Sequence, residues 1–151
     1  MFIDRLLGST TAPLLERTAA FTERRQDVLA GNIANISTPG YKTRDLPVQQ
    51  FQAALKEAAL RSQTPGNSTA ETAAWSFSQP LNPDTLAELF PDSMYQAGTA
   101  KPATPTFQDG NNRGVETELM ELTKNQMLQS MAIELMTAQL NRLQMVVSER
   151  V

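Results

Sequence analysis

The sequence contains no cysteine and no histidine, and aromatic residues make up only 6% of it. The missing cysteine excludes disulfides and thiol nucleophiles, and the missing histidine removes the commonest general base and a usual zinc ligand. The small number of aromatics predicts a modest hydrophobic core, of a kind that neighbouring chains can complete. We therefore expect no enzymatic activity, no metal site and no cofactor.

A strong charge and long apolar runs are also missing. The formal net charge is −3 and the pI is near 5.0, whereas nucleic-acid-binding proteins usually carry a basic surplus. No apolar run is long enough to span a bilayer. The first ten residues lack the basic region and apolar stretch of a cleavable secretory signal. We expect neither nucleic acid nor a small molecule as ligand, and a flexible N-terminus over residues 1–10.

The first structured part is predicted to be helical with one sharp interruption, over residues 11–61. Pro13 suits the first turn of a helix, and neither glycine nor proline occurs again before Gly31. A heptad-like stripe of this helix alternates by four and three residues: Leu15, Ala19, Thr22, Gln26, Leu29, Ile33 and Ile36. Because the two members near its centre, Thr22 and Gln26, are polar, this stripe would hold an isolated helix only weakly.

The interruption is the sequence Thr38-Pro39-Gly40-Tyr41. Pro39 disfavours the α conformation of the residue before it, so the helix must end there. Proline followed by glycine at the two central positions is the pattern of a type II turn, in which Gly40 has a positive φ. Pro47 can then open a shorter helix, whose apolar residues recur every four positions: Phe51, Leu55 and Ala59.

The middle of the chain, residues 62–108, is predicted to be a loop-rich surface segment. Six of the nine prolines lie between Pro65 and Pro105. Asn82 and Pro83 can cap and open at most one short helix. Disordered linkers seldom hold several aromatics, so we expect part of the segment to dock on its own helices or on a neighbour. The aromatics that suggest this are Trp75, Phe77, Phe90 and Tyr95.

The last part, residues 109–151, is predicted to be one long helix. Its main stripe alternates by four and three without a slip: Val115, Leu119, Leu122, Gln126, Gln129, Ile133, Met136, Leu140, Leu143 and Val147. A flanking stripe contains Leu128, Met131, Leu135, Ala138 and Met145. Two adjacent stripes predict burial on more than one side. Gln126 and Gln129 either fix the register of a helix pair or face water or a gap between subunits.

Together these patterns predict an all-α fold. The long N- and C-terminal helices pack as a coiled-coil-like hairpin, residues 11–61 and 109–151 form its helical core, and the middle is loop-rich. Acidic residues cluster near the start of the last helix, at Glu116, Glu118 and Glu121. Since nothing beside them suggests a pocket, we interpret them as solvated acids that favour the positive helix end rather than as a catalytic pair.

The segment NIANISTPGYK, from Asn32 to Lys42, closely resembles the N-terminal signature of the flagellar axial proteins, the family of rod and hook components. Arg44-Asp45 followed by Phe51 resembles the rod proteins of that family. The stretch with Asp109-Gly-Asn111, Glu116, Glu118 and Lys124-Asn125 is similar to their last helix. The resemblance implies an assembly motif: Asn32, Ile33, Ala34, Asn35, Thr38, Pro39, Gly40, Tyr41, Lys42, Arg44 and Asp45.

The resemblance further implies a structural subunit of the bacterial flagellar basal-body rod, which assembles helically, spans the periplasm and transmits torque from motor to hook. The implied partners are other copies of the chain, other rod proteins, adaptor proteins between membrane ring and rod, and the type III export apparatus, which exports such subunits without a cleaved signal peptide. The alternatives are another flagellar axial component, or a soluble coiled-coil scaffold or adaptor with no flagellar role. The scaffold alternative leaves the Thr-Pro-Gly-Tyr-Lys segment unexplained.

From the stripes we predict a helix-packing interface on both long helices: Leu15, Leu29, Ile33, Val115, Leu119, Leu122, Ile133, Met136, Leu140, Leu143 and Val147. The thin stripe of the first helix and the proline-rich middle also predict a marginal monomer. We expect the isolated chain to be partly helical and to unfold with low cooperativity. Circular dichroism with thermal melting at low protein concentration measures this, and a sharp transition from a fully helical monomer would contradict it.

Overall fold

The computed structural model describes residues 11–63, 83–100 and 114–148, and these residues are mostly helical. Within these ranges the four α-helices are α1 (Ala12–Ala34), α2 (Val48–Gln63), α3 (Pro83–Leu89) and α4 (Val115–Ser148). The minor elements are β1 (Arg44–Asp45), a 3-10 turn (Asp92–Tyr95) and β2 (Gly98–Thr99). The predicted all-α fold with long terminal helices is confirmed. The expectations for residues 1–10 and for Trp75 and Phe77 lie outside the described residues.

The helices α1 and α4 pack against each other in antiparallel fashion. This contact is the most extensive between any two elements of the described chain. Bonded pairs run in opposite directions along the two helices: Thr11 with Gln139, Thr22 with Asn125, Arg25 with Glu121, and Asn32 with Glu118. At about 1.5 Å per residue, α4 is roughly 50 Å long, so the hairpin is an elongated element. None of the described helices has the length and apolar character needed to cross a bilayer.

The hydrophobic core lies on a face of α1 next to the one that contacts α4. Phe21 of α1 stacks on Phe51 of α2, with ring centroids 4.0 Å apart and planes 9° from parallel. Phe90 lies 5.5 Å from Phe51, and Tyr95 meets the edge of Phe21 at 6.2 Å. The buried residues of this core are Leu14, Phe21, Leu46, Phe51, Ala54, Ala58, Leu86, Phe90 and Met94. The core therefore joins α1, α2, α3 and the 3-10 turn.

Part of the predicted surface segment contributes to this core. Leu86, Phe90 and Met94 are buried, so the aromatic-containing end of the segment docks on α1 and α2 of its own chain. The strand β2 also pairs with β1, Arg44 opposite Thr99 and Asp45 opposite Gly98, an antiparallel ladder that the sequence patterns did not indicate. The predicted short helix is present as α3.

The stripe predicted on α1 is only part of its buried surface. Leu29 is buried and Leu15 and Ile33 are half-buried, as the heptad pattern indicated. The structure buries a neighbouring stripe as well, and it contains two polar residues: Leu14, Phe21, Arg25 and Asn32. α1 is thus covered on two sides, by the aromatic core and by α4, which widens its buried face beyond one heptad seam.

A tight turn follows α1, which ends at Ala34, before Pro39. The Tyr41 N–H donates to the Thr38 carbonyl at 3.2 Å, and Gly40 has a φ of +73°. A positive φ at the third turn residue is the geometry of a type II turn, as predicted. The turn reverses the chain so that β1 runs back beside the end of α1, and α2 can then begin after Pro47.

A valine at position 40 should destabilise the fold through the backbone alone. No atom lies within 4 Å of an added Cβ at Gly40, so strain in the left-handed region, about 1–3 kcal/mol, is the whole cost. Gly31→Val is the matched control, because Gly31 also has open space around it, lies within α1 and has no positive φ. We expect urea unfolding to give a lower midpoint for Gly40→Val and a nearly unchanged one for Gly31→Val. Equal midpoints would contradict this account of the turn.

Candidate assembly interface

A buried arginine connects three elements at the end of the hairpin. Arg25 of α1 is 5% exposed. Its Nε and Nη2 donate to Asp45 Oδ1 and Oδ2, each at 2.8 Å, and Nη2 also donates to Glu121 Oε2 at 2.9 Å. The bidentate pair with Asp45 is the geometry that makes an arginine–carboxylate interaction strong and directional. Hydrogen bonding to Asp45 raises the pKa of Arg25, so the guanidinium stays charged.

Asn32, the first residue of the predicted motif, is bonded at every available position. Its Nδ2 donates to the Arg44 carbonyl at 2.7 Å and to Glu118 Oε2 at 2.9 Å. Its Oδ1 accepts from the Arg44 N–H at 3.0 Å and from the Tyr41 hydroxyl at 3.1 Å. An asparagine side chain has two donor hydrogens and two acceptor lone pairs, so all four are used. Asn32 therefore fastens the turn, β1 and α4 to the last turn of α1.

The other motif residues divide between this corner and the surface. Tyr41 and Asp45 are half-buried and bond to Asn32 and Arg25. Ile33 is half-buried on α1. The remaining residues are exposed: Ala34, Asn35, Thr38, Pro39, Gly40, Lys42 and Arg44. The motif is thus a structural corner with an outward-facing edge.

Further along the hairpin, the contact between α1 and α4 consists largely of polar and small side chains. Asn125 is 1% exposed, and its Nδ2 donates to the Thr22 carbonyl at 2.7 Å. The Asn125 Oδ1 is buried without a hydrogen-bond partner, which weakens the contact. The residues of α4 withdrawn from solvent include Glu118, Leu122, Asn125, Gln129, Ala132, Met136, Gln139 and Leu143.

This face of α4 differs from the predicted seam. Leu122, Met136 and Leu143 are half-buried as members of the heptad stripe. The other four described positions of the predicted interface are each more than half exposed in the single chain: Val115, Leu119, Ile133 and Leu140. Their role as helix contacts stays a prediction. The side chain of Val147 is outside the described residues. At every second position of the stripe, the residue that meets α1 is the one before the predicted residue: Asn125, Ala132 and Gln139 in place of Gln126, Ile133 and Leu140. Small and hydrogen-bonding residues let the helices approach closely there.

The shift leaves the apolar residues of α4 on its surface. The flanking stripe is exposed as well, with Met131 at 59% and Met145 at 62%. Gln126 is exposed and Gln129 half-buried, so the polar residue at the centre of the contact is Asn125. The largest exposed apolar side chains of the described helix are Val115, Leu119, Met120, Met127, Leu128, Met131, Ile133, Leu135, Leu140 and Met145. Rows of large exposed apolar side chains along a helix mark an interaction site.

The acids at the start of α4 are not all solvated, which corrects the prediction for two of them. Glu116 is exposed, but Glu118 and Glu121 are half-buried and hydrogen-bonded to α1. Burial raises the pKa of Glu118. The hydrogen bond from Lys124, together with that from Arg25, lowers the pKa of Glu121. The sequence could have predicted the contacts of Glu118 and Glu121 with α1. Arg25 and Asn32 lie seven residues apart on one face of α1, so they can meet two acids that lie three residues apart on α4.

Chemically, the arrangement fixes a backbone corner and presents an apolar helix surface. Within residues 11–63, 83–100 and 114–148, no cluster of three or more potential metal ligands is close enough to hold an ion. The buried polar groups of the corner, Arg25 and Asn32, are engaged by other side chains and backbone, so the geometry supports a role in binding and assembly.

Comparisons with known proteins point in the same direction. The family model of the flagella basal body rod proteins matches residues 16–42, which include most of α1 and the turn. The flagellar basal body rod protein FlgB of Bacillus subtilis is 30% identical over 142 residues, covering 94% of this chain and 96% of that protein. FlgB of Escherichia coli is 32% identical over 120 residues, 78% of each chain, and that of Salmonella typhimurium 29% over 117 residues, again 78% of each.

The two half-buried acids should affect stability in opposite directions. The pKa of Glu118 is raised above 4.5, so its ionised form costs stability at neutral pH, and that cost disappears as the pH falls through the raised pKa. The pKa of Glu121 is lowered below 4.5, so its ionised form contributes stability above pH 4.5, which is lost as the pH falls through the lowered pKa.

We therefore expect Glu118→Gln to raise the free energy of unfolding at pH 7.5. Glu121→Gln should lower it, by at most about 1 kcal/mol. Glutamine keeps an oxygen that can accept from Asn32 or Arg25, so each substitution tests the charge rather than the shape. Denaturant unfolding at pH 7.5 and pH 4 measures both, and the differences from the unmodified chain should shrink at pH 4. Shifts of the same sign at pH 7.5 would refute the assignment.

Proposed function

Because this chain belongs to the FlgB family of flagellar basal body rod proteins, we propose that the exposed apolar surface of α4 is where it binds neighbouring rod subunits. The chain is a structural subunit of the basal-body rod and not an enzyme. It is located in the flagellar basal body and assembles with other rod components. Family membership gives no reason to prefer a helical scaffold without a flagellar role.

The observation that carries this proposal is the orientation of α4 on α1. A helix that only had to stabilise its own chain would bury its most apolar face. Here α4 turns Asn125 and Gln139 toward α1 and leaves Ile133 51% exposed. Removing such apolar side chains from water contributes roughly 25 cal/mol for each Å² buried, so they favour packing against another helix.

The exposed residues form two separate stripes on either side of the contact with α1. At about 100° per residue, Leu119, Ile133 and Leu140 lie on one side of the buried Asn125 and Ala132, and Leu128 and Leu135 lie on the other. Two stripes that face different directions fit two different neighbours. Contacts between unlike surfaces of identical or related subunits are heterologous, and where the rotation does not close they generate open helical assemblies.

The finer partners follow from this role in the rod. We infer contacts with other copies of the chain and with other rod proteins through the two stripes. The outward-facing edge of the corner, around Pro39 and Lys42, is a further surface for rod neighbours or for the adaptor proteins that join the rod to the membrane ring. In this proposal the type III export apparatus delivers the subunit without a cleaved signal peptide, and the rod spans the periplasm and transmits torque to the hook.

We also propose a division of labour along the chain. Residues 11–61 and 109–151 form the rod core, in which α1 and α4 lie lengthwise. Residues 83–99 brace that core through Leu86, Phe90 and the pairing of β2 with β1. In this division α3, which packs on α2 rather than on α4, lies on the outer side of the assembly.

A charge placed on either stripe should block assembly without unfolding the subunit. Ile133 and Leu135 are 51% and 44% exposed on opposite sides of the seam, so glutamate at either position is tolerated by the isolated chain. In a packed interface, an unpaired buried carboxylate costs several kcal/mol. We expect Ile133→Glu and Leu135→Glu each to abolish swimming in a strain that lacks the unmodified gene.

Asn141→Glu is the matched control, because Asn141 is an exposed polar residue of the same helix that lies opposite Asn125 and outside both stripes, and the substitution adds the same charge. It should leave swimming near normal. Circular dichroism of the purified variants and immunoblots of cell extracts establish that folding and expression are unchanged. Normal swimming by both stripe variants would show that these stripes are not the rod contacts.

A further inference from the structure

The methionines of the chain are concentrated on α4, where four of them form a row. Five of the seven methionines lie on this helix. At about 100° per residue, four of the five fall within roughly 40° of each other around the helix axis. These residues, which we call the methionine row, are Met120, Met127, Met131 and Met145, and they are 50%, 71%, 59% and 62% exposed. The row extends over about 37 Å of α4.

The methionine row points away from α1. Asn125 and Ala132 are 1% and 3% exposed where α4 meets α1, and the centre of the row lies roughly 135° around the helix from them. The fifth methionine of α4, Met136, is half-buried at that contact, and Met94 is buried in the aromatic core. The side chains of the row are therefore accessible to small reagents in the isolated subunit, whereas that of Met94 is not.

An accessible methionine thioether reacts with hydroperoxides by oxygen transfer. The sulfur attacks the outer peroxide oxygen, so that an S–O bond forms while the O–O bond breaks. The sulfur is oxidised by two electrons to a sulfoxide, and the peroxide is reduced. The proton of the attacked oxygen passes to the leaving oxygen, which departs as an alcohol, or as water when the reagent is hydrogen peroxide. The sulfoxide is polar, and reductases convert it back to the thioether.

We propose that the methionine row is a site of reversible oxidation by hydroperoxides, which makes the outer surface of α4 polar and so prevents an oxidised subunit from joining the rod. This inference rests on the proposed function, in which that surface binds rod neighbours. A sulfoxide needs hydrogen bonds that an apolar partner surface does not supply, so burying it in an interface costs free energy. Because the row points away from α1, its oxidation leaves the hairpin folded.

The effect is confined to one side of α4. The row adjoins the stripe that contains Leu128 and Leu135, whereas the stripe on the other side, with Leu119, Ile133 and Leu140, contains no sulfur. Oxidation therefore weakens the contact with the neighbour on the methionine side and leaves the other contact unchanged. With four thioethers along the helix, a sulfoxide at any one of them places a polar group in that contact.

Limited treatment of the full-length chain with hydrogen peroxide tests the site in the isolated subunit. We expect each residue of the row to be oxidised at least about tenfold faster than Met94, because Met94 reacts only when the core opens. Mass spectrometry of the digested protein measures the rates. Circular dichroism should show unchanged helical content, and retention on a hydrophobic-interaction column should fall. Oxidation of Met94 as fast as the row, or loss of helix as the row is oxidised, would overturn the proposal.

Two matched variants test the consequence for the rod. The leucine variant has Met→Leu at all four positions of the row, which keeps the apolar volume and removes the oxidisable sulfur. The glutamine variant has Met→Gln at the same positions, because glutamine has a similar length and a polar end like that of the sulfoxide. Hydrogen peroxide should leave the column retention of the leucine variant unchanged. In a strain that lacks the unmodified gene, the leucine variant should swim normally and the glutamine variant should not swim.

The swimming results have distinct meanings once circular dichroism and immunoblots show that both variants fold and are expressed. Normal swimming by the glutamine variant, or loss of swimming by the leucine variant, would overturn the proposal. Ile133→Glu and Leu135→Glu then separate this failure from that of the proposed function. If they still abolish swimming, α4 binds rod neighbours without the methionine row. If they do not, the proposed function is wrong as well.

Discussion

The buried guanidinium of Arg25 is the constraint on which the rest of the structure depends. A charge in this position is costly unless carboxylates surround it, and the chain supplies one from β1 and one from α4, Asp45 and Glu121. The two acids come from opposite sides of the loop-rich middle, separated by 76 positions in the sequence. The two ion pairs of Arg25 therefore fix the position of β1 after the turn, and they fix the register of α4 along α1.

The turn and Asn32 make that arrangement geometrically possible. A type II turn with glycine at its third position brings β1 back beside α1, and Asn32 then bonds both the backbone of Arg44 and the carboxylate of Glu118. Once β1 is fixed, β2 can pair with it and Phe90 can reach Phe51. The aromatic core and the hairpin are thus two consequences of one polar corner, on neighbouring faces of α1.

The orientation of α4 on α1 leaves apolar residues exposed that could have stabilised the single chain. Its inner face is held by directional hydrogen bonds, such as that from Asn125 to Thr22, while Ile133, Leu135 and Leu140 remain exposed. Polar contacts in a seam specify register at a cost in stability. Such a seam places the apolar residues where neighbouring subunits of a rod can bury them. The same distribution explains why the core of a single chain is small.

The sequence by itself determined the elements whose causes are local. The two long helices, the turn at Pro39 and Gly40, and the start of α2 after Pro47 follow from helix periodicity, proline geometry and glycine's freedom at positive φ. The motif from Asn32 to Lys42 likewise identified the family. The α4 pattern showed that more than one side of the helix is apolar, and no pattern indicated which side would meet α1.

The tertiary structure alone decided that α4 meets α1 through Asn125, Ala132 and Gln139 rather than through Ile133 and Leu140. It also decided that Phe90 enters the core and that Glu118 and Glu121 meet Asn32 and Arg25. Heptad spacing reports which residues share a helix face, but the rotation of one helix against another depends on hydrogen bonds between residues far apart in sequence. Here those long-range polar contacts outweigh the apolar preference within one chain, which leaves the apolar faces for the neighbours.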